Sequence, residues 1–290
     1  MTDLDATTGT LLRLAAFTTD PSGGNPAGVW LGDALPDPTD MQRIAGEVGY
    51  SETAFLAPDG SGDGGRFRVR YFSPAKEIDF CGHATIASGV ALAERGWPAS
   101  LVLRTNDGLV DLDVVRDAEG RFQATLTSVE PWVRELPDGL LDRLLELLGW
   151  RPDELDGALP PELAFAGVRH PIIAVRDLST LGRVDYDFDA MRVLMLQHDL
   201  TTLQLIWRET SVRFRARDPF AAGGVVEDPA TGAAAAALGA YLRERGEIAA
   251  PAEFEIVQGV EMGRPSLLTV SIVVGDSRIR VSGTAVPIPN

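Results

Sequence analysis

Two segments of this 290-residue chain gather side chains that move protons and hold anions. The first reads Glu77-Ile78-Asp79-Phe80-Cys81-Gly82-His83-Ala84-Thr85 and the second Glu227-Asp228-Pro229-Ala230-Thr231-Gly232. Carboxylates, an imidazole and a thiol become general acids and bases once burial or a neighbouring charge tunes their pKa. Each segment runs into a stretch rich in Ala and Gly. If helices begin at Gly82 and Gly232, their unbonded amides and dipoles form two anion sites, and a substrate carboxylate fits one of them. Simpler readings compete at each position. Asp228 just ahead of a helix is also a favoured cap, and a histidine beside an apolar helix is also what a hydrogen-bonded core residue looks like.

The stretches that follow these segments repeat each other. Residues 82–96 and 232–246 agree without a gap at Gly82/Gly232, Ala84/Ala234, Ala87/Ala237, Gly89/Gly239, Leu92/Leu242, Glu94/Glu244, Arg95/Arg245 and Gly96/Gly246, eight positions of fifteen. Even Glu77 and Glu227 keep the 150-residue spacing. Such a match implies two copies of one fold. Each repeated stretch is almost free of charge until its last turn, so it reads as a helix buried on all sides, ended by a glycine suited to the left-handed position.

Around the first copy, residues 67–72, 101–104, 110–114 and 122–126 alternate or run apolar as strands do; around the second, 172–175, 203–207, 212–214, 254–257, 268–274 and 279–281 do the same. A more amphipathic helix accompanies each, Pro38–Val48 and Leu140–Leu148. The fold class is therefore α+β. In each half a curved, mostly antiparallel sheet wraps around one small-residue helix. The expected domains are 1–128 and 129–277, with a last strand, 278–290, able to return to the first. The join falls in 129–137, where two prolines and mixed polarity interrupt the strand pattern. The glycine- and serine-rich residues 58–65 read as a hairpin turn.

Composition excludes several partners. A net charge of −16 with no Lys/Arg cluster gives no footprint for nucleic acid or an anionic membrane. The first ten residues lack the basic start of a secretory signal, and no apolar run approaches the ~20 residues that span a bilayer. A single cysteine, Cys81, rules out an internal disulfide and a multi-thiol metal site. No phosphate loop, dinucleotide fingerprint or metal-ligand spacing is present, so neither cofactor nor metal is expected. These features describe a reduced, soluble, cytoplasmic protein.

Five motifs, in order, then resemble those of the PhzF-like phenazine biosynthesis family. They are Gly24-Asn25-Pro26-Ala27-Gly28-Val29, Ser51-Glu52-Thr53-Ala54-Phe55, Cys81-Gly82-His83-Ala84-Thr85, Glu227-Asp228-Pro229-Ala230-Thr231-Gly232, and Gln258-Gly259 with Gly263-Arg264-Pro265-Ser266. The resemblance implies a diaminopimelate epimerase-like fold of two similar domains with the active site between them. It also implies a cofactor-free, metal-free isomerase, usually a homodimer, acting on a small carboxylate. In the founding phenazine enzyme, a proton moves within trans-2,3-dihydro-3-hydroxyanthranilate.

By the same resemblance Glu52 is the general acid/base, His83 the site histidine and Asp228 its acidic partner. Asn25 sits in a turn read as structural, with a substrate contact as the alternative; Gly82, Thr85, Thr231, Gly232 and Ala233, at the two helix starts, are the other candidate substrate contacts. One departure stands out: Ala233 occupies a position where the family is expected to place serine. The amide survives and the hydroxyl is lost, which bears on the substrate more than on the reaction type. Cys81-Gly82-His83 also resembles proline racemase and diaminopimelate epimerase relatives, which use two thiols; with Cys81 alone, two-thiol racemisation is unavailable, and Cys81 reads as a buried inert thiol. His170 and His198 lie in no motif and read as structural or surface residues. Arg264 could pair a carboxylate, but fixing a turn is the favoured reading. Two alternatives stay open beside the isomerase: an epimerase or racemase of an amino-acid-like substrate, and a catalytically silent binder of a small molecule or protein.

Overall fold

The computed structural model describes residues 9–60 and 64–289. It divides into two units, Met1–Leu126 with Ser282–Asn290, and Thr127–Val281. The first unit contains β1 (Gly9–Ala16), β2 (Asn25–Gly32), α1 (Pro38–Val48), β3 (Glu52–Pro58), β4 (Arg66–Phe72), β5 (Glu77–Ile78), α2 (Gly82–Glu94), β6 (Ser100–Arg104), β7 (Leu109–Arg116) and β8 (Phe122–Thr127), whose last residue falls to the second. The second contains β9 (Trp132–Glu135), α3 (Leu140–Leu148), β10 (Glu162–Phe165), β11 (Arg169–Val175), α4 (Leu178–Gly182), α5 (Phe188–Gln197), β12 (Gln204–Thr210), β13 (Arg213–Pro219), β14 (Glu227–Asp228), α6 (Gly232–Glu244), β15 (Ala252–Gln258) and β16 (Ser266–Ile272). The last strand, β17 (Ile279–Pro287), gives 279–281 to the second unit and the rest to the first.

In the first unit, β1 pairs antiparallel with β2, β2 parallel with β3, β3 antiparallel with β4 and β4 parallel with β6. Antiparallel pairs β6/β7 and β7/β8 follow. β17 then bonds to both β8 and β1, which closes the ladder on itself. Helix α2 is buried without interruption from His83 to Ala93. A helix free of charge along that length has no face for water, so only a surrounding sheet satisfies it. The second unit repeats the order: β9/β10 and β10/β11 antiparallel, β11/β12 parallel, β12/β13 antiparallel, β13/β15 parallel, β15/β16 antiparallel.

The repeated glycines show why both central helices need small residues. A Cβ at Gly89 would lie 2.8 Å from Leu112 Cδ2 and 3.0 Å from Ala124 Cβ; one at Gly239 would lie 2.8 Å from Ile279 Cγ2 and 2.9 Å from Val270 Cγ1. Helix and strand approach too closely for a methyl group at either place. The repeated glutamates answer each other as well. Glu77 takes a two-pronged bond from Arg70 (2.7 and 2.6 Å), and Glu227 takes one from the buried Arg217, whose Nη2 lies 2.6 Å away.

Parts of the sequence reading need correction. Residues 129–137 do not interrupt the strand pattern: β9 lies inside them and pairs with β10. Pro131 and Pro137 flank the strand without entering it, and Trp132 stacks on Phe165 at 5.2 Å. Helices α4 and α5, capped by Asp177 and Asp187, were not anticipated. Of the turn expected at 58–65, residues 61–63 lie outside the described residues; β3 and β4 pair antiparallel up to Pro58 and Phe67. Residues 1–8 of the N-terminal segment also lie outside them. Among the described residues no helix is long and apolar enough to cross a membrane.

Candidate active site

In the first unit, three chain segments bring Asn25, Glu52, Cys81 and His83 together. Asn25 opens β2, and Glu52 opens the parallel neighbour β3, opposite Ala27. Helix α1 delivers the chain to that place, stopping at Gly49, which takes the left-handed conformation (φ 70°) that releases the backbone toward β3. Cys81 is the residue that caps α2, and His83 lies in its first turn. Both central helices begin at the glycines read from sequence, Gly82 and Gly232.

His83 Nε2 lies 3.3 Å from Glu52 Oε2, and Asn25 Nδ2 lies 3.1 Å from His83 Nδ1. An amide nitrogen is only a donor, so Nδ1 accepts and the ring proton resides on Nε2, aimed at the carboxylate. Cys81 Sγ lies 3.4 Å from Nδ1 and 3.8 Å from Nε2 of the same ring. Burial pushes the Glu52 carboxyl above the ordinary glutamate range, against the lowering effect of hydrogen bonds to Ser51 and Cys81. Thr85 is an anchor behind this group: its hydroxyl donates to the Cys81 carbonyl (2.7 Å) and meets the Tyr71 hydroxyl (2.6 Å). Tyr71 is held firmly protonated by full burial.

Glu52, Cys81 and His83 each offer an atom of a metal-ligating kind, and these lie within 4.8 Å of one another. Sequence spacing gave no hint of this set, because Glu52 reaches it from β3 while Cys81 and His83 open α2. A zinc-class ion could take these donors; the same closeness is what proton exchange among them requires.

In the second unit, Asp228 lies in β14 directly opposite Asp218 of β13. The α6 cap is Thr231, not Asp228. The Thr231 hydroxyl donates to Asp228 Oδ2 at 2.6 Å and receives Gln258 Nε2 at 3.1 Å; that amide also donates to the Asp228 carbonyl at 2.8 Å. Thr231 N–H donates to Gln258 Oε1 at 3.3 Å. Gly232 and Ala233 form the first turn of α6.

Behind Asp228 stands a polar group that no motif announced. Asp218 is fully buried, and Thr202 donates to its Oδ2 at 3.2 Å. With its amide nitrogen toward Asp218, Gln204 donates to both carboxyl oxygens at 3.0 and 2.9 Å. His170 Nδ1 lies 2.9 Å from the Thr202 hydroxyl, and burial holds the imidazole neutral with a pKa near 3. Burial and the nearby Asp228 charge push Asp218 well above the aspartate range. One signal was available: Phe214 and Ala216 are buried on one face of β13, and the period of two carries Asp218 onto that face. Gln258 stood in a recognised motif without being assigned a role. The third histidine, His198, ends α5.

Comparison with known proteins agrees on one family. The model of the phenazine biosynthesis-like proteins, PhzC-PhzF, matches residues 14–290. A trans-2,3-dihydro-3-hydroxyanthranilate isomerase of Pseudomonas chlororaphis is 34% identical over 254 residues, covering 87% of this chain and 86% of the relative. An uncharacterized isomerase of Bacillus subtilis, YfhB, is 30% identical over 289 residues and 95% of each chain. The crystal structure of a PhzF-family phenazine biosynthesis protein from Bacillus anthracis aligns with a TM-score of 0.84 and 28% identity over 97% of this chain and 98% of that one.

Proposed function

Because the chain belongs to the phenazine biosynthesis-like protein family and is an isomerase, we propose that it moves a proton between two carbons of a small carboxylate substrate, with Glu52 as the shuttle. The observation that carries this reading is the placement of Glu52: a carboxylate only 14% exposed, its pKa raised by desolvation, 3.3 Å from a histidine of fixed tautomer. The Glu52 carboxylate takes a proton from one carbon, and the electron pair of that C–H bond passes into the substrate's conjugated system. The Glu52 carboxyl then returns the proton to a second carbon, so atoms and electrons balance without a cofactor. His83 Nε2–H holds the ionised form in place before the first step and again after the second.

Asp228 is proposed as an acceptor for a substrate amino or hydroxyl group, and the amides of Gly232 and Ala233 as donors to a carboxylate. The substrate is trans-2,3-dihydro-3-hydroxyanthranilate or a related compound, the enzyme is cytoplasmic, and it works as a homodimer. Ala233 favours the related compound, since the hydroxyl expected there is missing.

The test is NMR of trans-2,3-dihydro-3-hydroxyanthranilate in deuterated buffer with wild type and Glu52→Gln. Wild type should isomerise it with deuterium entering a carbon-bound position, and Glu52→Gln should be slower by about 10²- to 10⁴-fold, the range of a lost general base. Equal rates for the two proteins would remove Glu52 from the chemistry. Binding without exchange would leave the silent binder as the surviving reading.

A further inference from the structure

Gln258 closes β15, alongside Ala216 of β13 and opposite Ser266 of β16, and its buried side chain ends on the turn that carries Asp228 into α6. One amide hydrogen goes to the Asp228 carbonyl at 2.8 Å and the other to Thr231 Oγ1 at 3.1 Å, while Oε1 receives the Thr231 N–H at 3.3 Å. A reversed amide would set oxygen against a carbonyl and nitrogen against an N–H, so the partners decide its orientation. The amide decides a second orientation in turn. A hydroxyl oxygen that receives an amide hydrogen must direct its own proton elsewhere, and the Thr231 proton goes to Asp228 Oδ2 at 2.6 Å.

We propose that Gln258 is a positioning residue for the proton transfer: by holding the Thr231 hydroxyl as a donor to Asp228, it sets the rotamer in which that carboxylate meets substrate. The inference rests on the reading of Asp228 as a functional carboxylate.

The next residue supports it. Gly259 takes the left-handed conformation (φ 74°), and a Cβ there would lie 2.5 Å from the Arg264 carbonyl oxygen and 2.7 Å from that of Pro229. The motif of Gln258-Gly259 with Gly263-Arg264-Pro265-Ser266 is therefore a cradle for the motif that holds Asp228. Its glycine admits the backbone of Pro229, and its glutamine bonds Asp228 before that proline and Thr231 after it.

The duplicated fold does not itself require the glutamine. Phe72 faces Glu77 as Pro219 faces Glu227, and further back on the same strands Arg68 pairs with Arg104 as Arg215 pairs with Val257. The residues that follow Arg104 and Val257 are Thr105 and Gln258. Thr105 turns its hydroxyl to the carbonyl of Gly108 in its own hairpin, at 3.0 Å. The first unit has Ile78 where the second has Asp228, so the glutamine accompanies the carboxylate and not the fold.

The test uses trans-2,3-dihydro-3-hydroxyanthranilate, followed by NMR in deuterated buffer. Gln258→Ala lets the Thr231 hydroxyl rotate and should lower kcat/KM by about 10²-fold, the scale of a displaced functional group. Gln258→Glu keeps the shape and the acceptor for the Thr231 N–H but, once ionised, offers no donor, and the Thr231 proton then turns to the introduced carboxylate. Its kcat/KM should fall as pH rises through that ionisation, an alkaline limb absent from wild type and one that a role in packing alone would not produce. A readout without substrate is the Thr231 hydroxyl proton, which should exchange slowly in wild type and average with water in Gln258→Ala. Asp228→Asn examines the underlying reading: full activity there would remove the role of Asp228, and this proposal with it. With Asp228→Asn impaired, Gln258 variants that keep the wild-type kcat/KM and pH profile, or a Thr231 hydroxyl equally protected in Gln258→Ala, would overturn the proposal.

Discussion

His83 and Glu52 meet as donor and acceptor, Nε2 to Oε2 at 3.3 Å, and the direction of that bond is decided on the far side of the ring by Asn25. If Asn25 did not donate to Nδ1, either nitrogen could carry the ring proton, and half of the choices would set a lone pair against the carboxylate.

Asn25→Ala should therefore lower kcat by about 10- to 100-fold while leaving the fold intact, because the imidazole loses its fixed tautomer. Nitrogen-15 spectra of the histidines would check it: wild type should show His83 protonated at Nε2, and the variant a mixture. A single Nε2–H tautomer in both would assign Asn25 a role in packing alone.

The raised pKa of Glu52 fixes the sign of two pH effects. The free enzyme needs the ionised base, so kcat/KM should rise with pH through a midpoint above the ordinary glutamate range. For stability, the native state keeps a proton that the unfolded chain releases, so this group's contribution is full below the unfolded pKa and is lost as pH rises through the folded one. Glu52→Gln, which never ionises, should gain stability relative to wild type across that window. Urea unfolding of both proteins over a pH series checks it, and parallel curves would contradict the raised pKa.

Gly89→Ala and Gly239→Ala set two effects against each other. Alanine in a helix interior is better than glycine by about 1 kcal/mol, but each added methyl lands within 3.0 Å of packed side chains, Leu112 and Ala124 or Ile279 and Val270. Overpacking costs about 1–3 kcal/mol and should win. Both variants should unfold at lower urea concentration than wild type, and by similar amounts if the two units are built alike. A stabilised variant would mean the helix can shift away from its strand.

Much of the fold was legible because its signals are local. Glycines, small residues and absent charge mark α2 and α6 as buried helices, and a gapless repeat needs no structure to be seen. The short strand β9 and the helix α4 were missed because four residues between prolines and five after an aspartate carry too little pattern to outweigh their flanks; α5, ten residues behind its Asp187 cap, was long enough to read and was overlooked.

The order of residues alone was enough for the duplication, the two helix starts at Gly82 and Gly232, and the motif residues Glu52, His83 and Asp228. Tertiary structure alone decided what those residues touch. Parallel pairing of β2 with β3 puts Asn25 and Glu52 at one end of the sheet, where α2 presents His83 to both. The β13–β14 pairing sets Asp218 against Asp228, and burial then pushes Asp218 well above the ordinary aspartate range. Register and burial join residues distant in the chain, and neither composition nor periodicity encodes which distant residues will be joined.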